Sequence, residues 1–309
     1  MCGLYGFSYH GNKVSKQKLD KLINSLAKES TIRGTHATGI AYNNAKGKMV
    51  VTKEPKAAIY MNFQLPKNVR AVIGHVRHAT QGKPEMNHNN HPFKGTTKNG
   101  SFALAHNGVL TNDKALRNSN KLPTTKIETD SYVAVQLLEK AGAVNHKTLA
   151  DMAEKVNGSF VFTVIDSKDT IYFVKGDNPL SIMYFPTIGL YVYASTEEIL
   201  WKALVDSEFT HLLKSGDFEE VVIDEGQILS INKEGERAYT AFEFDYYASS
   251  PKWWRVYTSP AEPDYADDLK TIAEYLGYSA DFVDRLLRQN FTLEEIEDFL
   301  YGEMDLMHT

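Results

Sequence analysis

The chain has 309 residues, 42% apolar and 24% charged, a balance typical of a globular protein with room for one large domain and a small appendage. Its net charge of −5 is uneven: residues 264–309 hold 12 acidic and 3 basic side chains, and the remainder is mildly basic, without the footprint of a nucleic-acid binder. No run approaches the ~18 apolar residues of a membrane span, no signal-peptide pattern opens the chain, and a single cysteine excludes a disulfide framework, so a cytoplasmic location is expected.

That cysteine is Cys2, in the run Cys2-Gly3-Leu4-Tyr5-Gly6 directly behind Met1. Removing Met1 would put the thiol on the first residue, beside an α-amine that titrates near pH ~8 and can act as its base. The flanking glycines let backbone approach closely. Leu19, Leu22, Ile23 and Leu26 share one face of a helix predicted over 15–28. A glycine-bracketed loop, Arg33-Gly34-Thr35-His36-Ala37-Thr38-Gly39, then leads into a strand. Strands rich in Val, Ile, Phe and Tyr are predicted over 48–53, 70–76, 101–105, 160–165, 171–174 and 189–194. Between them lie Gly74-His75-Val76-Arg77-His78-Ala79-Thr80-Gln81-Gly82, then Asn90-His91-Pro92-Phe93, then the turn candidate His106-Asn107-Gly108. Glu128-Thr129-Asp130 opens a second helix, over 130–141, with Val133, Leu137 and Leu138 inward. Many strands and few helices in one block indicate an α+β layered domain. An aromatic stretch, 242–263, contains Trp253-Trp254 and is too apolar for a solvated linker, so it should pack on the domain or a partner. Three short helices are predicted in the acidic tail, over 265–276, 280–289 and 293–301, with Ser279 capping the second and a Thr292/Glu295 capping box on the third.

Several residues carry two readings. Asn107-Gly108 is a strong hairpin-turn signal, and a tight turn is also a way to present a backbone donor. Arg77 offers a planar fork for a carboxylate, or a strand-edge ion pair. Asp130 offers a counter-charge for an ammonium, or a carboxylate favoured by a helix start. His75, His78, His88, His91 and His106 cluster within about thirty residues. There is no His-Glu-x-x-His pattern and no second cysteine, so no metal is expected and the histidines read as pocket and turn residues.

Taken in order, these segments resemble the glutaminase domain of class II glutamine amidotransferases, in the N-terminal-nucleophile hydrolase superfamily. Cys-Gly-Leu-x-Gly, Arg-Gly-x-x-x-x-Gly, Gly-His-x-Arg-x-Ala-Thr-x-Gly, His-Asn-Gly and Thr-Asp follow in the family's sequence. Weaker echoes continue at Asn157-Gly158-Ser159-Phe160, Asn178-Pro179-Leu180 and Ala194-Ser195-Thr196-Glu197. The resemblance implies a four-layer αββα sandwich over 1–235, an aromatic linker over 236–263 and a small C-terminal helical appendage over 264–309. It implies no cofactor. The function implied is glutamine hydrolysis to glutamate and ammonia through a Cys2 thioester, with the freed α-amine as proton carrier. Asn107 and Gly108 would form the oxyanion hole, Arg77, Thr80 and Asp130 would hold the amino-acid end, and Arg33, His78 and His91 would support the pocket. His36 replaces a usual acidic residue and His78 is also a departure, which bears on loop closure. About seventy residues follow the block, too few for a sugar-isomerase or synthetase domain, so ammonia would pass to a separate synthase subunit, and the tail would dock a protein partner. The alternatives are a stand-alone γ-glutamyl amide or peptide hydrolase and a non-catalytic glutamine-binding scaffold.

Overall fold

Alternation of side chains along thirteen strands builds two antiparallel sheets, whose facing surfaces and outer surfaces are both apolar. The computed structural model describes residues 2–244 and, in the tail, 269, 270, 273, 278, 279, 281–288, 296 and 300. The chain divides into two compact units, 1–245 and 246–309.

In the first unit the strands are β1 (Gly3–Tyr9), β2 (Ala37–Asn43), β3 (Met49–Glu54), β4 (Ala71–Arg77), β5 (Phe93–Thr97), β6 (Gly100–Leu110), β7 (Gly158–Ile165), β8 (Ile171–Lys175), β9 (Ser181–Phe185), β10 (Leu190–Ala194), β11 (Glu219–Glu220), β12 (Gln227–Ile231) and β13 (Arg237–Ala241). The helices are α1 (Lys16–Glu29), α2 (Asp113–Ser119), α3 (Tyr132–Ala141), α4 (His146–Ala153), α5 (Glu197–Asp206) and α6 (Thr210–Ser215). One sheet runs β11-β9-β10-β1-β4-β2-β3 and the other β13-β12-β8-β7-β6-β5.

Leu4, Ala41, Ile73, Ala103, Ala105, Val161 and Phe173 fill the space between the sheets. On the outer face of the first sheet, Tyr5, Phe7 and Val72 meet Leu22, Ile23 and Leu26 of α1 and Leu200 and Leu204 of α5. On the outer face of the second, Leu104, Phe160 and Phe162 meet Val133 and Leu138 of α3 and Leu149 of α4. The result is a four-layer αββα sandwich. Leu22, Ile23 and Leu26 are completely buried, and burial of each such side chain contributes about 2 kcal/mol. Ser15 caps α1, its hydroxyl accepting from the Lys18 amide.

All six predicted strands and both main helices of this unit are present, with boundaries moved by a few residues. The Asn107-Gly108 turn is not. Both residues lie inside β6, opposite Val161 and Phe160 of β7. Gly108 is needed there for a different reason: its φ is +142°, and a Cβ would lie 2.0 Å from the Ser159 carbonyl oxygen. The second helix also starts later than Asp130, at Tyr132, so Asp130 sits just before the first turn.

In the tail, Leu269, Lys270, Ala273, Ile296 and Leu300 are helical, and α7 spans Phe282–Arg288. Leu269, Ala273, Val283, Leu286, Ile296 and Leu300 form a small core of their own. The Ser279 hydroxyl donates to Asp281 and accepts from Arg285. Thr292, Glu295 and Trp253-Trp254 lie outside the described residues; of the aromatic stretch, Phe242 and Phe244 pack in the outer core beside Phe160.

Candidate active site

Strand register brings the predicted residues to one end of the sandwich. Cys2 precedes Leu4 by two residues, on the register that points between the sheets. It stands at the start of β1, next to the end of β4, because Gly3 pairs with Val76. His75 and Arg77 continue the inward register of Ala71 and Ile73 along β4. Asn107 continues that of Ala103 and Ala105 along β6.

Cys2 is half-buried, and its thiol donates to the His78 carbonyl at 3.5 Å. Burial pushes the thiol up from its usual range; Arg77 opposes that and Asp130 adds to it, so both charges lie within its electrostatic reach. A thiol in that state needs a base to become a nucleophile. Arg33, at the end of a 3-10 turn over Ser30–Arg33, fixes the Cys2 main chain by donating from Nε to the Cys2 carbonyl at 2.7 Å.

Asn107 is 1% exposed, and its Nδ2 has no hydrogen-bond partner among the described residues. A buried amide left unpaired costs about 1–3 kcal/mol, which makes this donor conspicuous. The Asn107 carbonyl accepts from Asn178 Nδ2 at 3.3 Å. Asp130 is buried, accepts from the Leu110 amide at 2.6 Å and from the Ser131 hydroxyl at 3.3 Å. It therefore ties the head of α3 to the end of β6.

Arg77 is buried, and among the described residues no carboxylate is bonded to it. Its guanidinium donates to Asn90 Oδ1 at 2.7 Å and to the carbonyls of Gln81 and Gly82 at 2.5 and 2.9 Å. These bonds hold the 78–82 segment over the end of β4. Thr80, on that segment, is exposed, as is His78, whose ring stacks on His36 at 5.0 Å between centroids. His36 Nδ1 accepts from the Ala79 amide at 2.9 Å, fastening the same segment from the other side.

Behind the site lies a buried histidine group. His91 packs against His75 and Phe93, each 4.3 Å away between centroids. His75 Nε2 bonds the His106 carbonyl at 2.9 Å, which makes Nε2 the protonated nitrogen. His106 Nδ1 meets the Ser131 hydroxyl at 2.7 Å. Burial pulls His75 down to about 3 and His91 well below its ordinary value, so these rings are neutral. Among the described residues no group of three or more His, Cys, Asp or Glu side chains is arranged to hold a metal ion. A groove of about 740 Å³ between α1 and residues 58–64 contains none of the predicted site residues.

A family model described as a glutamine amidotransferase domain matches residues 75–202. The chain is 31% identical over 248 residues to a glutamine–fructose-6-phosphate aminotransferase (isomerizing) of Staphylococcus aureus, covering 76% of this chain and 38% of that protein. It is 30% identical over 244 residues to the same-named protein of Bacillus licheniformis, with the same coverage of each. The sandwich matches the glutamine phosphoribosylpyrophosphate amidotransferase structure from B. subtilis with a TM-score of 0.59 at 24% identity, over 79% of this chain and 50% of that one. Residues 75–202 therefore carry a glutamine amidotransferase domain, and the sandwich has the fold of that amidotransferase structure. It spans 38% of the length of the curated relatives it matches.

Within this amidotransferase domain, several residues that hold the site drew no attention in the sequence. Asn89 and Asn90 are fully buried, although the run Asn87-His88-Asn89-Asn90 reads as a solvated loop. Asn89 exchanges hydrogen bonds with Glu128, accepting from its amide and donating to its carboxylate, both at 2.9 Å. Lys53 is unremarkable by residue type. The available signal was for Asn90, which directly precedes His91-Pro92, and for Asn178, which opens the Asn178-Pro179-Leu180 echo.

Proposed function

We propose that this domain hydrolyses glutamine to glutamate and ammonia, with Cys2 as nucleophile once Met1 has been removed. The observation that carries the reading is the unpaired, buried Asn107 amide on the same inward register as Cys2.

In this reading the freed α-amine of Cys2 takes the thiol proton and the sulfur attacks the side-chain carboxamide carbon. The C–N π-character is lost as a tetrahedral oxyanion forms, and Asn107 Nδ2 with the Gly108 backbone N–H donates to it. Each such donor contributes about 3 kcal/mol to the barrier reduction. The proton passes from the α-amine to the departing nitrogen, the C–N bond breaks, and ammonia leaves a glutamyl thioester. Water, deprotonated by the same amine, cleaves the thioester to glutamate and restores the thiol. Arg77 pairs with the substrate α-carboxylate and Asp130 with its ammonium, with Thr80 adding a hydroxyl contact. Arg33, His78 and His91 support the pocket: Arg33 and the His78 carbonyl bond Cys2, and His91 packs against His75 of β4. A lone reactive thiol suits a reducing cytoplasm. Ammonia is passed to a separate acceptor synthase, for which the acidic tail is the proposed docking region.

The test is intact mass before and after treatment with a diazo-ketone analogue of glutamine. Loss of one methionine and a single label on Cys2, absent in Cys2→Ala together with glutaminase activity, is the expected result. Active protein that retains Met1 would break the mechanism, because the base would be locked in an amide.

A further inference from the structure

Lys53 lies on β3, two residues beyond Val51 and four beyond Met49, on the register that faces the other sheet. A lysine there would be expected to find a carboxylate. Instead its ammonium donates to the main-chain carbonyls of Asn90 and of Pro92, the latter at 3.1 Å, and sits 4.9 Å over the Phe93 ring. The Lys53 carbonyl accepts from Asn87 Nδ2 at 2.8 Å, and Asn87 Oδ1 accepts from Asn90 Nδ2 at 3.3 Å. Asn90 Nδ2 also donates to the Pro84 carbonyl at 2.7 Å. With its amide nitrogen held this way, Asn90 presents Oδ1 to Arg77 at 2.7 Å. Close approach of this loop to the first sheet depends on Gly39, where a Cβ would lie 2.5 Å from the His91 carbonyl oxygen and 2.6 Å from Lys53 Cβ.

A buried guanidinium and a half-buried ammonium are thus bridged by a single asparagine. Among the described residues, every acceptor on either of them is a neutral amide oxygen: Asn90, Pro92, Gln81 and Gly82 carbonyls and the Asn90 side chain. Such a pair is electrostatically incomplete, and an anion completes it. We propose that Lys53 is a positioning residue for the substrate carboxylate, anchoring Asn90 so that its side chain aims the Arg77 guanidinium. This rests on the glutamine reading given above. The titratable groups facing Lys53 are Arg77, His75 and His91; the two histidines are neutral, and the carboxylates of Asp130, Glu85 and Glu128, which act on Arg77 from a distance, bond neither cation among the described residues. Burial, with Arg77 second, brings the Lys53 ammonium down to about 8, within reach of an ordinary pH titration.

The experiment compares wild type, Lys53→Met and Lys53→Arg for kcat and KM with glutamine on both sides of pH 8, with calorimetric binding of L-glutamate as a readout that needs no turnover. In wild type KM should rise as pH passes through about 8. Lys53→Met should raise KM about tenfold with kcat retained, the loss expected from one misplaced charge-assisted contact, and should flatten the alkaline limb. Lys53→Arg should restore KM and move that limb to higher pH, because a guanidinium stays charged. Wild-type KM with an unshifted limb in Lys53→Met overturns the proposal. So does an equal loss of kcat and kcat/KM that Lys53→Arg does not rescue, which would mark a general packing role. Wild type without glutaminase activity would sink the functional reading instead; unchanged glutamate affinity in Lys53→Met would then overturn this inference separately, and no glutamate binding by wild type would overturn both.

Discussion

At the scale of single residues, Asn107 and His75 illustrate opposite uses of burial. Asn107 keeps a donor desolvated and unpaired, which in the proposed mechanism meets charge that exists only during reaction. Asn107→Ala should therefore lower kcat by about 10²–10³ with little change in KM, measured by steady-state ammonia release. His75 keeps a ring neutral. Its folded value is about 3, against ~6.5 when unperturbed, so between those values the unfolded chain binds the extra proton. The stabilisation is complete above the upper value and is lost as pH falls through the window, on the order of 5 kcal/mol at its limit. Urea midpoints measured from neutral pH downward should fall, and His75→Gln should fall less steeply. Arg77 and Asp130 were selectable from sequence by charge type and motif order. Asn90 and Lys53 were not, because their importance lies in which carbonyl or guanidinium faces them, and that depends on a loop folding back against β3.

At the scale of elements, periodicity located α1 and the strands that alternate or are wholly apolar, since one face or both must leave water. It misread Asn107-Gly108. The dipeptide favours positive φ, and a turn is the commonest way to use it, but the pairing of β6 with β7 continues through Leu110. Only the neighbouring strand could reveal that the positive φ serves a close approach to Ser159 rather than a reversal. Gly108→Ala should accordingly destabilise the protein by about 2–4 kcal/mol, through left-handed strain and a clash with backbone, visible as a lowered Tm. Ser15→Ala, which removes the α1 cap, should cost only about 1 kcal/mol by chemical denaturation and leave kcat unchanged.

At the scale of the whole molecule, the division into units 1–245 and 246–309 separates two sets of apolar cores, and the proposed function gives them different tasks. Every residue placed in the candidate site belongs to the first. A chain ending at Asp245 should keep the wild-type KM and kcat for glutamine while losing association with the ammonia acceptor, assayed by co-purification and by ammonia transfer. Retained association would remove the tail from the docking proposal.

The sequence by itself determined the amidotransferase motif order, the layered α+β character, the nucleophile candidate and the candidate residues for holding an amino acid. Those follow from local chemistry: side-chain functional groups, motif order and the periods of apolar residues. Tertiary structure alone decided which residues share an end of the sandwich, that Asn107 is an orphaned donor inside a strand, and that Lys53 reaches the Arg77 network through Asn90. Each of these depends on strand register and on a loop's return across the sheet. The bonds concerned join residues 13 to 76 positions apart, from Arg77 with Asn90 to Cys2 with His78, and a one-residue slip in pairing would turn them to the opposite face.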